Sequence, residues 1–333
     1  MATIKDIADA TGYSLSAVSR TINNDPTLSI SSEARVKILS AAKELGYEKK
    51  RAARDPAAGY SVALVSYSST FKNEIDSGYY FSVRSGIEFE AEILGISCDF
   101  INAGEIENYS QAYDGILIIG HLHKSDYARI LNHFNTGSVA AVNSVYYCPE
   151  LVDHVSYDNR LCTRLGLDCL FTHGHRRIAY LGHREFEDMS AFGSRKETFE
   201  AIMRERGLLD PLLVHECDRG VEESYKYVKN WLAGGPELPT AMFCANDPVA
   251  IGAMKAFIEE GISVPDKMSI VSVDGSFITR FSNPPISSVD VHTFELGRMG
   301  LRMLAERMSG VRDTVVQVNI SPTLVERDSV ASV

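Results

Sequence analysis

Near residue 60 the hydrophobic period of the chain changes, and that break constrains the fold more than any other feature. Before it, apolar residues recur at helical spacing and no strand-like run occurs. After it, short apolar runs (SVALVSY, GILIIG, SVAAVN, RIAYLGH, TAMFCAND, MSIVSVDG) alternate with amphipathic stretches such as YFSVRSGIEFEAEILG, ETFEAIMRERG and DPVAIGAMKAFIEEG. Buried strands separated by helices imply parallel sheets, because a parallel strand is reached only by a crossover. The 274 residues of this pattern, 60–333, exceed what one open sheet usually uses, so two α/β lobes are expected. Between the two textures, EKKRAARDPAAG is charged, alanine-rich and broken by Pro56 and Gly59, and reads as a linker. The expected organisation is an all-α headpiece over residues 1–47, a hinge over 48–59 and a two-lobed body over 60–330.

In the headpiece, Thr3 is placed to cap a helix carrying Ile4, Ile7 and Ala8, closed by Gly12. Ser14 caps a second helix reaching about Asn23, and Ser31 or Ser32 opens a third with Ile38, Leu39, Ala42 and Leu45 as its apolar stripe. On the second helix Ala17, Val18, Thr21 and Ile22 share one arc, leaving Leu15, Ser16, Ser19 and Arg20 on the other. A short polar face ending in arginine suits the major groove of DNA. Arg20 can donate two hydrogen bonds to a guanine, Ser16 can reach a base edge or phosphate, and Leu15 can meet a thymine methyl. A small helical domain with merely solvated residues would show the same arc, so the wheel alone does not decide. Net charge is −11, which opposes nucleic acid in bulk; yet residues 1–57 hold nine Lys/Arg against seven Asp/Glu, leaving 24 basic and 37 acidic residues on the body.

Several classes are expected to be absent. No run approaches the roughly 18 apolar residues of a membrane span, and MATIKDIADA is no secretory leader, so a cytoplasmic protein is expected. The six cysteines form no CxxC pair and read as buried reduced thiols. The pairs His121/His123 and His173/His175 lack a carboxylate or third ligand at useful spacing and read as structural, so no metal is expected. A phosphate-binding loop, GxGxxG, GxSxG and HExxH are all missing; no enzyme activity and no cofactor are expected.

TIKDIADATGYSLSAVSRTIN, with the later AKELGY, resembles the headpiece of the lactose/galactose repressor (LacI/GalR) family nearly position by position. GIEFEAEILG, YDGILIIG, the segment from VSYDNR to YLGH, PTAMFCANDPVAIGAMKAFIEEG and the PTLVERDS tail extend the likeness over the chain. The resemblance implies a body like the periplasmic sugar-binding proteins, with two Rossmann-like lobes joined by three crossovers and a ligand in the cleft between them. Lobe one would use about 60–157 and 289–315, lobe two about 158–288 and 316–330. By the same resemblance Leu15, Ser16 and Arg20 would touch bases, while Thr3, Ser14, Ser19 and Asn23 would hold phosphates or the fold.

The hinge departs from the family. Tyr47 is followed by Glu48-Lys49-Lys50, and Pro56 stands where a leucine wedges into the minor groove in other members. Proline cannot continue a helix, though its ring could still act as a wedge. Lys49, Lys50, Arg51 and Arg54 are then expected to supply phosphate attraction. In the body, Arg195 matches the family's ligand-gripping arginine, and Asn246 and Asp274 match positions that bond sugar hydroxyls. Tyr79, Tyr80 and Phe81 precede a lobe-one helix where aromatic groups would face the ligand or pack the lobes, Asn143 ends the SVAAVN strand, and Asp247 reads as a helix cap. Val291 replaces a polar ligand contact of the family's lactose repressor, so a different ligand geometry is expected. A shortened segment, IENYSQA, and the loop DPTLSIS look like the galactose and β-galactoside operon repressors within the family, especially the evolved-β-galactosidase type. The expectation is an operator-binding repressor of a sugar-utilisation operon, answering to a small sugar. A nucleobase corepressor or a phosphocarrier protein partner remains an alternative input. A homodimer is expected, because no leucine heptad tail follows ERDSVASV.

Overall fold

The computed structural model describes residues 2–22, 28, 30–45, 47, 59–67, 78–122, 124–134, 136–144, 150–183 and 194–333. The chain divides into two units, Met1–Gly59 and Tyr60–Val333. In the first, α1 (Ile4–Thr11) begins at Thr3, whose hydroxyl accepts from the Asp6 amide while Asp6 accepts from the Thr3 amide at 2.7 Å. Such a reciprocal cap contributes about 1 kcal/mol. The helix stops at Gly12, whose φ of +76° would strain any side chain. Ser14 caps α2 (Leu15–Ile22) through the Ala17 amide, and Ser31 caps α3 (Ser32–Glu44) through the Ala34 amide. Ile7, Ala8, Val18 and Ile38 form the small core. Leu39 and Leu45 are 47% and 41% exposed, which corrects the expected stripe of α3. With 100° per residue, the inward row is Ala34–Ile38–Ala41/Ala42 instead. Gly46 and residues 48–58, including Pro56, lie outside the described residues.

The second unit opens with β1 (Ser61–Ser66), α4 (Gly78–Leu94), β2 (Ser97–Asn102), β3 (Gly115–Ile119), α5 (Lys124–Phe134), β4 (Val139–Val142) and β5 (Asp153–Ser156). Between β2 and β3 stands only a 3-10 segment, Ala103–Asn108, in the stretch that the sequence shortens. After Tyr157 the chain crosses to α6 (Asn159–Thr172), β6 (Ile178–His183), α7 (Arg195–Glu205), β7 (Val214–Cys217) and α8 (Val221–Ala233). There follow β8 (Ala241–Cys244), α9 (Asp247–Glu259), β9 (Ser269–Asp274) and β10 (Ser287–Asp290). It crosses back at Val291–His292 to α10 (Thr293–Met308) and β11 (Gln317–Asn319), and crosses again to β12 (Thr323–Val325).

Two six-stranded sheets result, ordered β11-β5-β4-β3-β1-β2 and β12-β10-β9-β8-β6-β7. Every pairing is parallel except β10 with β12. This is the α/β two-lobe architecture expected from the alternating texture. Its crossovers fall elsewhere than at 289 and 315: Ser287–Asp290 pairs with β9 of the second sheet, and Gln317–Asn319 pairs with β5 of the first. Backbone pairing, not apolar pattern, assigns these short segments. No described helix is long and apolar enough to cross a membrane.

Helix α10 closes the first lobe by crossing α4 at backbone contact. A Cβ on Gly297 would lie 1.9 Å from the Val83 carbonyl oxygen, and one on Gly86 would lie 2.0 Å from that of Phe294. Beside the crossing, the buried Glu90 accepts from Arg298 Nε at 3.0 Å and from Arg302 Nη2 at 2.6 Å. Because the obstacle is backbone, neither helix can yield by a rotamer change. Gly297→Ala should therefore destabilise the body by about 1–3 kcal/mol or more, read as a lower urea midpoint at unchanged m-value. An unchanged midpoint would show that the two helices are not held in this contact.

Candidate functional site

Both sheets share one strand order. Read from the far edge, β2-β1-β3-β4-β5 repeats as β7-β6-β8-β9-β10, so each reverses direction of growth next to its first strand. In such sheets the crevice lies beyond the carboxyl ends of the strands at the reversal. The second unit sets its polar residues there. Tyr79 and Tyr80 open α4, His121 follows β3, Asn143 follows β4, His183 ends β6, Arg219 follows β7, Asn246 follows β8 and Asp274 ends β9.

At the centre, Arg195 starts α7 behind the Ser194 cap, with side chain almost buried. Its Nη2 donates to the Tyr157 hydroxyl at 3.0 Å and stands 3.6 Å from Asp274 Oδ1. Tyr157 lies on the first crossover, so this cluster joins the strand ends of one lobe to the exit of the other. Asp274 has φ +119°, a left-handed conformation that the following Gly275 shares. Burial pushes its carboxyl up to about 8 against the opposing charge of Arg195. Burial and then the Arg219 and Arg195 charges push His121 and His183 down to about 3. Arg219 Nη2 donates to His183 Nε2 at 3.0 Å, which leaves the proton on Nδ1; that buried nitrogen has no partner among the described residues. A cavity of about 290 Å³ opens beside Asp274, lined by Tyr79, Ser82, Ser276, Phe277 and Thr293 among others. The buried Ser276 hydroxyl makes no well-aligned hydrogen bond among the described residues, and it adds to the stabilisation of the Asp247 carboxylate beside it.

The expected ligand residues fare differently. Arg195, Asp274 and Tyr80 meet in this cleft, where Tyr80 lies against Gly120 and feels the charges of Arg219, Asp274 and Arg195. Asn143 is half-buried at the carboxyl end of the interior strand β4 with φ +48°. Asn246 Oδ1 caps α9 by accepting from the Val249 amide at 3.0 Å, which leaves its Nδ2 donors and one Oδ1 lone pair for a ligand. Asp247, read as the cap, is fully buried and accepts from Ser272, Ser288 and the Ser276 amide. Phe81 is 64% exposed while Tyr79 and Ser82 line the cavity; the helical step turns it outward, which corrects its assignment to the ligand. Tyr157, His121, His183 and Arg219 are cleft residues that the sequence does not single out as such, although His121 directly follows one apolar run and His183 ends another. His123 lies outside the described residues, and His175 is satisfied by Thr240 and the Ala331 carbonyl.

On the headpiece, Leu15 is 53% exposed and Ser16 is exposed, while Ser19 and Arg20 are half-buried further along α2. Thr3 and Ser14 spend their hydroxyls on helix caps. Asn23, Lys49, Lys50, Arg51 and Arg54 lie outside the described residues.

The Asp274 carboxyl gives a pH signature. It titrates near 3.8 when unperturbed and near 8 in the fold, so the native state retains a proton that the unfolded chain has lost across that window. Its contribution is fully present below 3.8 and is lost as pH rises through about 8. Relative to Asp274→Asn, the wild type should lose stability as pH is raised from about 4 to about 8, measured by urea midpoints. A constant difference would place the carboxyl in water.

Residues 3–49 match the bacterial regulatory proteins of the lacI family, and residues 167–330 match the periplasmic binding protein-like domain. The HTH-type transcriptional regulator GanR of Bacillus subtilis (strain 168) is 31% identical over 336 residues, covering 99% of each chain. GalR of Streptococcus thermophilus is 30% identical over 336 residues, with 99% of each covered. The repressor PurR of Haemophilus influenzae (strain PittEE) is 30% identical over 348 residues, with 100% of each covered. The transcriptional regulator CelR–cellobiose complex superposes with a TM-score of 0.70 at 25% identity, covering 99% of this chain and 100% of that one. The lac repressor dimer bound to operator and the anti-inducer ONPF has a TM-score of 0.69 at 22% identity over 99% of each, a likeness of fold. A helix-turn-helix head and a two-lobed body thus run the full length of known relatives, and the chain belongs to the LacI family of DNA-binding transcriptional regulators, not to an enzyme family.

Proposed function

We propose that this regulator represses a sugar-utilisation operon, binds its operator as a homodimer and answers to a small sugar, galactose or a galactoside, held between its lobes. The observation that carries the reading is the Arg195–Asp274–Tyr157 cluster beside a cavity lined by Ser82, Ser276 and Thr293 and, nearby, the His183 Nδ1 donor. A polyhydroxyl ligand supplies donors and acceptors together, which is what such a mixed set requires. The cellobiose held by the similar regulator CelR supports a sugar in this place. Tyr80, Asn143 and Asn246 Nδ2 complete the proposed ligand shell. A flat nucleobase is the second reading, favoured by the rings of Tyr79, Tyr80 and Tyr157.

On DNA, Leu15, Ser16 and Arg20 are assigned to bases. Ser19, Asn23, Lys49, Lys50, Arg51 and Arg54 are assigned to phosphates, while Thr3 and Ser14 hold the headpiece through their caps. A single short helix reads too few base pairs for genomic specificity, so two-fold pairing on a near-palindromic operator follows. The body offers a surface for it. Ile258, Ile278 and Phe281 are 47%, 38% and 68% exposed around an apolar groove of about 340 Å³ on α9, and the Phe277 ring packs at a tilt against Phe281. A protruding ring next to an apolar groove is self-complementary under a two-fold axis.

Fluorescence anisotropy on the cognate operator tests the assignments. Arg20→Ala should lose about 1–3 kcal/mol on cognate DNA and relax preference at one base pair. Arg195→Ala should leave ligand-free operator affinity intact and shift the ligand response by roughly tenfold to a hundredfold. The titrant comes from thermal shifts with galactose, lactose, allolactose and hypoxanthine. A shift with hypoxanthine alone would replace the sugar reading, and a wild-type response in Arg195→Ala would remove that residue from the site. Sedimentation of Phe281→Glu should give a monomer with weakened operator binding; an intact dimer would place the interface elsewhere.

A further inference from the structure

We propose that Cys169, His173 and Glu326 form a binding site for a borderline-soft divalent metal ion of the zinc class on the second lobe. Cys169 and His173 stand four apart at the end of α6 and so share one helix face, and Glu326 reaches them from just beyond β12. Their ligand atoms all lie within 4.8 Å of one another. His173 Nε2 is 3.2 Å from Glu326 Oε1, and Cys169 Sγ is 4.0 Å from Glu326 Oε2. Ligand atoms around a tetrahedral zinc ion are separated by roughly 3–4 Å, so small side-chain adjustments close the set.

A second observation fixes the imidazole for this task. His173 Nδ1 lies 3.0 Å from the Cys169 carbonyl oxygen, which can only accept, so Nδ1 donates and Nε2 turns toward Glu326 and the thiol. Metal-binding histidines are oriented by this kind of outer hydrogen bond. Nε2 and the Glu326 carboxylate then face one another at 3.2 Å, and a cation between them, a proton or a metal ion, satisfies both.

The donor set selects the ion. Thiolate, imidazole and carboxylate suit zinc, whereas magnesium and calcium require oxygen ligands throughout. The thiol is nearly buried and the carboxylate half-exposed, which leaves an entry path and a fourth position for water. Binding forms the metal–sulfur bond and releases the thiol proton to solvent, with no change of oxidation state. In sequence Cys169 looks like an inert thiol and His173 structural, because the carboxylate lies 157 residues beyond Cys169. A bound ion would tie the end of α6 to the strand that follows the third crossover.

The test is titration of the full, tag-free chain, stripped with chelator, first with cobalt(II) and then with zinc(II). One equivalent of cobalt should bind with tetrahedral d–d bands and a thiolate-to-cobalt charge-transfer band, and zinc should displace it and raise the melting temperature. Cys169→Ser should abolish the charge-transfer band. Glu326→Gln, at an exposed position, should weaken binding by roughly tenfold or more, with a metal-free urea midpoint matching wild type. Absence of a bound equivalent, an octahedral spectrum without the thiolate band, or wild-type affinity in Glu326→Gln would overturn the site and leave a His173–Glu326 ion pair in its place.

Discussion

Asp247 carries the constraint on which the cleft of the second lobe depends. A carboxylate removed from water costs several kcal/mol unless its lone pairs are met. Here Ser288 Oγ donates at 2.7 Å, the Ser276 amide at 2.6 Å, and Ser272 Oγ completes the set. These donors come from β10, from the loop after β9 and from β9 itself, while Asp247 begins α9. One buried group thus ties together three consecutive strand ends. Asn246, adjacent to Asp247, and Asp274, between Ser272 and Ser276, inherit their positions from this knot. The Asp247 charge also adds to the burial that keeps the Asp274 proton in place.

The two lobes solve their packing differently although their strand order is the same. The first is closed by a backbone crossing of α4 and α10 at Gly86 and Gly297, with Glu90 clamped between Arg298 and Arg302. The second is closed by aromatic and aliphatic packing, with Phe199, Phe243 and Tyr180 in contact at its centre. A hinge between lobes works only if each lobe is stiff. Backbone contact in one and ring packing in the other both provide that.

Strands with at least three apolar residues to form a run were legible, even where buried serines interrupt them as in β9, and those with fewer were not. SVALVS, GILII and AMFC announce themselves as β1, β3 and β8. DHVS and SSVD do not, because Asp153 is buried against Arg312, while Ser287 and Ser288 are buried against Ser329 and Asp247. Their apolar count is too low for a period to emerge. In the cleft, Arg195 and Asp274 were legible through family likeness. His121 and His183 are not singled out by sequence as cleft residues, though one follows and the other ends a strand run, and the rule applied to Asp274 covers both. Tyr157 belongs to a crossover, and no local pattern marks where a chain leaves one lobe for another. Phe81 was misplaced by one helical step. The repeated strand order left no trace in sequence, since topology is shared without shared residues.

Neither lobe is contiguous along the chain, and this sets an order on synthesis. The first sheet lacks its edge strand β11, and α4 lacks its partner α10, until residues near 319 have been made. Until then Asp153 waits for Arg312 and the Val316 amide, and Glu90 waits for Arg298 and Arg302. The headpiece, whose core joins only residues 7 to 38, can form as soon as it leaves the ribosome, whereas the body must remain open until nearly the whole message is translated. A chain truncated before β11 would carry a finished DNA reader on an unfinished sensor.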